Sequence, residues 1–192
     1  MKSLEGSRVA VTGGSGFIGS HLVRYLLKSG VEEVLVIDNF SYGRRDNLPM
    51  GEGKVTISDI SLGESDTSEL DRVLNGVDFV FHLAAEKHNQ SKNTPYECFR
   101  SNINGTFSLL ESCVRSQVKK VVYASSLYVY GRMEKPPFVE TEVPHPSTVY
   151  GISKLAGEHL LEYFAKYHKL DYGCVRYLFV YGPLQFTGSG YE

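Results

Sequence analysis

The stretch Thr12-Gly13-Gly14-Ser15-Gly16-Phe17-Ile18-Gly19 constrains what this chain can fold into more than any other. It joins an apolar run, Arg8 to Thr12, to an amphipathic one, His21 to Leu27, and so predicts a strand, a tight turn and a helix. Each glycine has a physical reason to be there. Gly13 makes the sharp turn off the strand. Gly16 lacks the Cβ that would keep the backbone away from a pyrophosphate, and Gly19 lets the helix pack closely on the sheet. The unpaired N–H groups of the new helix, beginning around Phe17 and Ile18, then face the phosphates with the positive end of the helix dipole.

Three glycines also occur as plain turn residues in small α/β proteins, so the next strand matters. Glu33 to Ile37 is apolar and ends in Asp38, 19 residues after Gly19. An acid at that spacing accepts hydrogen bonds from the adenosine ribose hydroxyls and repels a 2′-phosphate, which favours NAD over NADP. Arg44 and Arg45 follow closely, and an arginine there can accommodate a 2′-phosphate, so NADP stays open at this point.

A chain of 192 residues can bury one good core, with little left for a second domain. Hydrophobic content of 42% and charged content of 22% are ordinary for a folded soluble protein. The net charge of −2 gives no electrostatic case for binding nucleic acid. No run approaches membrane-spanning length, and Met1 to Gly6 carries no apolar signal region, so a cytoplasmic chain without membrane contact is expected. Cys98, Cys113 and Cys174 are odd in number, widely spaced and set in apolar segments. They are expected to be reduced core residues, with no metal site.

Strands and helices alternate along the chain. Strands are expected at 8–12, 33–37, 55–58, 77–81, 120–124 and 172–177, with later helices at 68–74, 95–116 and 148–168; Pro95 suits a first helical turn. The pattern is that of an α/β doubly wound parallel sheet, the Rossmann fold, with helices on both faces. Residues 1–180 form the dinucleotide-binding domain. Residues 181–192 are expected to begin a substrate-binding region that is cut short.

In open α/β sheets ligands sit beyond the carboxyl ends of the strands, and there a second constellation collects. Ser125 and Ser126 end one strand. On the following helix Tyr150 and Lys154 stand four residues apart, hence on one face. A phenol with its usual pKa near ~10 is a poor base at neutral pH, but a neighbouring ammonium favours the phenolate. A serine hydroxyl beside the pair can hold a substrate oxygen while the phenolate takes a proton from a carbinol. Tyrosine and lysine at this spacing are common, and the chain has 13 tyrosines, so the weight comes from the cofactor fingerprint that precedes them.

Taken together, Thr12–Gly19, Asp38-Asn39, Asp59-Ile60, His82-Leu83-Ala84-Ala85, Asn102-Ile103-Asn104-Gly105-Thr106, Ser125-Ser126 with Val129-Tyr130-Gly131, Tyr150–Lys154, and Arg176-Tyr177 with Val180–Pro183 resemble the extended short-chain dehydrogenase/reductase family, in its sugar-nucleotide epimerase and dehydratase branch. The resemblance implies that Asp59 and Ile60 lie against adenine, and that Leu83, Ala84 and Ala85 line the pyrophosphate and nicotinamide ribose. It implies that Asn102 lies beneath the cofactor, and that Ser126, Tyr150 and Lys154 are catalytic, with Tyr150 and Lys154 also touching the cofactor. Packing alone would also explain Ala84 and Ala85, and a capping role would explain Asn102. Lys87, Ser126, Tyr150 and Phe179 are the expected substrate contacts.

Departures from the family pattern sharpen this. Where dehydratases carry acids after the catalytic hydroxyl, this chain has Leu127 and Tyr128. Phe179 replaces an asparagine that contacts the sugar nucleotide, and Leu184 an arginine. The charged loop Glu86 to Gln90 is expected over the sugar, with His88 facing solvent and acid–base help as its other use. The resemblance thus implies an NAD-dependent nucleotide-sugar 4-epimerase working through a 4-keto intermediate. A reductase or dehydrogenase, a 4,6-dehydratase, and a non-catalytic NAD(P)-binding regulator or scaffold are the alternatives. A homodimer is expected through the helices at 95–116 and 148–168, with Phe107, Leu110, Leu160 and Phe164 compatible with it and core packing an equal explanation for them.

Overall fold

The strands β1 (Arg8–Thr12), β2 (Glu33–Ile37), β3 (Val55–Ser58), β4 (Phe79–His82), β5 (Lys120–Ser126) and β6 (Asp171–Tyr177) lie in one sheet in a computed structural model of the chain. The structure describes residues 4–51, 53–64, 66–132 and 137–185. The order is β3-β2-β1-β4-β5-β6 and every pairing is parallel. The chain therefore winds one way from β1 through β3, then crosses back to β4 beside β1. The carboxyl ends of β1 and β4 diverge at this reversal, and a crevice opens between them.

Period-two alternation decides what each face buries. Ala10, Leu35, Ile37, Val80, Val121 and Tyr123 point to one side. There they meet α2 (Thr67–Leu74), α5 (Gly105–Arg115) and α6 (Val149–His168) through Leu70, Leu109, Leu110, Leu161 and Phe164. Val9, Val11, Val34 and Val36 point to the other side and meet Val23 and Leu26 of α1 (Phe17–Lys28). The two faces each carry helices, as a doubly wound sheet requires. At the amino edge, Arg8 pairs with Glu33 at 2.8 Å, and Lys119 with Asp78 at 2.6 Å.

Gly13 has φ +68°, and a Cβ there would sit 2.8 Å from the Ala84 backbone nitrogen. Only glycine lets the turn pass so close to the strand-end of β4. At Gly19 a methyl would collide with the Gly13 carbonyl oxygen, so α1 can fold back on its own turn only without one.

Several elements differ from expectation. The strand expected at 77–81 begins at Phe79, because Val77 N–H closes a turn on Leu74 and Asp78 N–H bonds Arg8. The helix expected over 95–116 is three pieces: α4 (Pro95–Phe99), a π-helical stretch Arg100–Asn104, and α5. A short helix, α3 (His88–Asn93), forms where a loop was expected. Cys98 and Cys113 are buried, but Cys174 is exposed on the edge strand β6; all three thiols are free. Leu110 and Phe164 are 0% and 2% exposed, so they belong to the core and not to a dimer surface. Residues 186–192 of the expected substrate-binding region lie outside the described residues. Among the described residues no helix is long and apolar enough to cross a membrane, and no cluster could hold a metal ion.

Leu161 joins α6 to the sheet and is 1% exposed. Leu161→Ala is expected to cost about 2–5 kcal/mol through lost burial and the cavity left behind. Urea unfolding measures it; a loss below about 1 kcal/mol would show that α6 is not packed on the sheet in solution.

Candidate active site

A cavity of about 330 Å³ opens at the carboxyl ends of the strands, where the sheet order reverses. Its floor is the glycine turn, with Gly13, Gly16, Phe17, Ile18 and Gly19 on the lining. Gly16 caps α1 in an extended conformation, and a Cβ there would meet only the Gly13 carbonyl at 3.3 Å before open space. The bare helix start is thus presented to the cavity, as an anion requires.

Asp38 lines the cavity and is 8% exposed. Its two oxygens accept from Ser15 N–H and Phe40 N–H, each at 2.9 Å. A carboxylate has about four acceptor positions, so lone pairs remain for ribose hydroxyls. Asn39 and Ile60 also line the cavity, whereas Asp59 does not. Ile60 is 3% exposed, whereas Asp59 is exposed to solvent. There its carboxylate lies 3.5 Å from Arg45, whose guanidinium also covers the Phe40 ring at 4.1 Å.

Beyond β4, Leu83, Ala84, Ala85 and Lys87 line the cavity, and a buried polar chain fixes them there. Leu83 and Ala84 N–H donate to Thr12 Oγ1 at 3.2 and 3.1 Å. The Thr12 hydroxyl donates to His82 Nδ1 at 2.7 Å, and His82 Nε2 donates to Thr106 Oγ1 at 2.9 Å. Thr106 passes the chain on to the Asn102 carbonyl at 2.6 Å. This order of donors assigns a neutral ring with its proton on Nε2. Full burial, with Lys154 nearby, lowers the His82 pKa to about 3.

Asn102 is buried below the cavity, not on its lining. Its Oδ1 accepts Glu86 N–H at 2.7 Å, and its Nδ2 donates to Glu86 O at 3.2 Å and to Ser153 Oγ at 3.0 Å. Ser153 in turn donates to the Tyr150 carbonyl at 2.8 Å. Asn102 therefore positions the loop after β4 against the first turn of α6.

Thr148 caps α6 by accepting Gly151 N–H at 3.0 Å, which places Tyr150 in the first turn and Lys154 one turn on. Both line the cavity with Ser126. Lys154 is 2% exposed, donates to the Ala124 carbonyl at 2.9 Å, and lies 5.7 Å from the Tyr150 ring centre. Burial pulls its pKa down to about 8. The two serines are differently engaged. Ser125 donates to Glu158, itself bound by Arg176 at 2.9 and 2.7 Å. Ser126 Oγ accepts Tyr128 N–H at 3.3 Å, which leaves its proton for a ligand.

His88 is not a solvent-facing loop residue. Its ring stacks on Tyr128 with centres 4.1 Å apart and meets Tyr150 edge-on at 6.2 Å. Desolvation, then Lys92, lowers its pKa. Phe179 lines the cavity but is 68% exposed. Glu86, from the charged loop expected over the sugar, lines the cavity, as do Ser41, Tyr42 and Ser101, which sequence reasoning passed over. All but Ser101 follow strand ends, which was the available signal.

A nucleotide-type crevice joined to a serine, tyrosine and lysine defines the short-chain dehydrogenase/reductase class. Residues 9–191 match the family described as NAD dependent epimerase/dehydratase, and the chain belongs to it. It is 34% identical over 175 residues to a UDP-glucose 4-epimerase of Halalkalibacterium halodurans, covering 88% of this chain and 49% of the relative. A UDP-N-acetylglucosamine 4-epimerase structure from Methanobrevibacter ruminantium matches with TM-score 0.90 and 36% identity, over 97% of this chain and 59% of that one. A dTDP-glucose 4,6-dehydratase from Streptomyces venezuelae, solved with NAD, matches with TM-score 0.88 and 33% identity, over 93% and 57%. The chain spans about half the length of the curated relatives it matches.

Because His82 is held neutral, its folded pKa lies below its unfolded value. The unfolded chain then binds more protons between pH 6.5 and about 3, and stability falls as pH drops through that window. Its share of the slope is about 1.4 kcal/mol per pH unit. Urea unfolding between pH 6.5 and 4.5 should show this share and lose it in His82→Gln; equal slopes would refute a neutral buried ring.

Proposed function

We propose that this chain is the cofactor-binding part of an NAD-dependent nucleotide-sugar 4-epimerase acting through a transient 4-keto sugar. The observation that carries this reading is the meeting of Ser126, Tyr150 and Lys154 with the glycine turn in one cavity. The residues fit the dinucleotide. Gly16 leaves the helix start bare, Asp38 retains acceptor capacity, and Ala84 and Ala85 put only methyl groups on the cleft wall, which leaves room for a flat ring. With Asp59 holding Arg45, the acid at Asp38 favours NAD over its 2′-phosphate relative.

When bound, NAD supplies the ring that takes and later returns the hydrogen at C4 of the sugar. Tyr150 takes the proton from the 4-hydroxyl. The Lys154 ammonium, one turn away, favours the phenolate, and the Ser126 hydroxyl donates to the sugar oxygen and orients it. Leu127 and Tyr128 follow Ser126 with no carboxylate, so the site lacks an acid there for the further proton transfer of dehydration. That absence supports epimerisation over the dehydratase chemistry of the other relatives. Lys87 and the exposed Phe179 lie where the sugar nucleotide enters. A homodimer through α5 and α6 rests on the exposed rings of Phe107, Tyr163 and Tyr167.

Tyr150→Phe, made in the full polypeptide, is expected to lower kcat roughly a hundred- to ten-thousandfold while the bound NAD content stays unchanged. Conversion of UDP-glucose to UDP-galactose, assayed with NAD content, tests this. A variant retaining more than about a tenth of the activity would remove Tyr150 from the role of base.

A further inference from the structure

The connection after β2 arches back over the glycine turn. Its base is pinned to Ser15, whose carbonyl accepts Arg44 N–H at 3.2 Å and Asn47 Nδ2 at 2.8 Å. One flank is tied to the end of β3, where Asn39 Nδ2 donates to Ser61 Oγ at 3.0 Å and Arg45 pairs with Asp59. The other flank reaches the loop after β4. There the Tyr42 phenol donates to Glu86 Oε2 at 2.8 Å, and Lys87 Nζ lies 4.5 Å over the Tyr42 ring.

The sheet order gives this contact its meaning. β1 lies between β2 and β4, so a bond from one loop to the other crosses the carboxyl end of β1, where the glycine turn begins. Tyr42, Glu86 and Lys87 all line the cavity, so the bond spans its mouth. Both anchors are firm. Ser15 holds the Tyr42 loop from below, and Asn102 grips the Glu86 backbone on both its N–H and its carbonyl. Desolvation and the Glu86 carboxylate push the Tyr42 pKa up to about 12, so the phenol remains a donor at neutral and mildly alkaline pH.

We propose that Tyr42 and Glu86 form a clasp across the mouth of the dinucleotide cleft, which must part before the cofactor can leave. The inference rests on the cleft being an NAD site, and it adds residues outside the glycine turn and Asp38. A hydride carrier that ends each turnover in its starting state need not exchange with solution, and the clasp would keep it in place. Lys87 seconds it by holding the Tyr42 ring, and its charge offsets that of the neighbouring Glu86.

The test is the rate at which the full chain, loaded with NAD, releases it into excess fluorescent etheno-NAD. Tyr42→Phe removes the hydroxyl alone and keeps the ring under Lys87; Glu86→Ala removes the acceptor. Each is expected to release NAD about tenfold faster, equivalent to about 1.4 kcal/mol. The double variant should be no faster than either, because both changes delete one contact. Unchanged release in both single variants, or effects that multiply in the double one, overturns the clasp and leaves the cofactor site standing. An unsubstituted chain that takes up no NAD when titrated overturns the cofactor site, and the clasp with it.

Discussion

Everything at the carboxyl end of this sheet is organised by a buried, uncharged imidazole. His82 ends β4 beside Thr12 at the end of β1, and its two ring nitrogens tie the strand ends to the helical rod beneath them. The same line of hydrogen bonds sets where Leu83 and Ala84 run and how Asn102 is held. Through Asn102 and Ser153 it reaches the backbone of Tyr150. A cleft whose two walls are joined this way is stiff before any ligand arrives, and stiffness is what positions a proton acceptor within reach of a carbinol.

Much of this was legible in the sequence because it follows from steric rules. The spacing of Gly13, Gly16 and Gly19, the apolar strands and the acid at Asp38 all carry local signals, and the topology follows from alternating elements. What escaped was set by tertiary contact. His88 begins a run, His-Asn-Gln-Ser-Lys-Asn, with no apolar periodicity, yet it forms a helix because its ring stacks on Tyr128, forty positions away. The π-helical stretch at Arg100–Asn104 has no sequence marker; it widens the rod where Asn102 engages Glu86. Asp59 is exposed and paired with Arg45 instead of lining the cavity, through a contact with the β2–β3 connection that no local signal marks. Cys174 is exposed because it sits on β6, at the edge of the sheet.

The site combines family features with local substitutions. Ser126, Tyr150 and Lys154 line one cavity, and beside them Tyr128, His88 and Tyr150 touch one another. Flat rings of this kind suit the apolar faces of sugars, the substrate class proposed above. On the proposed reading, the proton chemistry falls to Tyr150 and Lys154.

The central claim concerns where a nicotinamide ring lies relative to that phenol. A crystal structure of the protein with NAD tests it most directly. The account predicts the pyrophosphate on the start of α1 and the nicotinamide between Ala84–Ala85 and Tyr150, its reactive edge turned to the phenolic oxygen. A dinucleotide bound elsewhere, or a ring turned away with Tyr150 packed among aliphatic side chains, would contradict it.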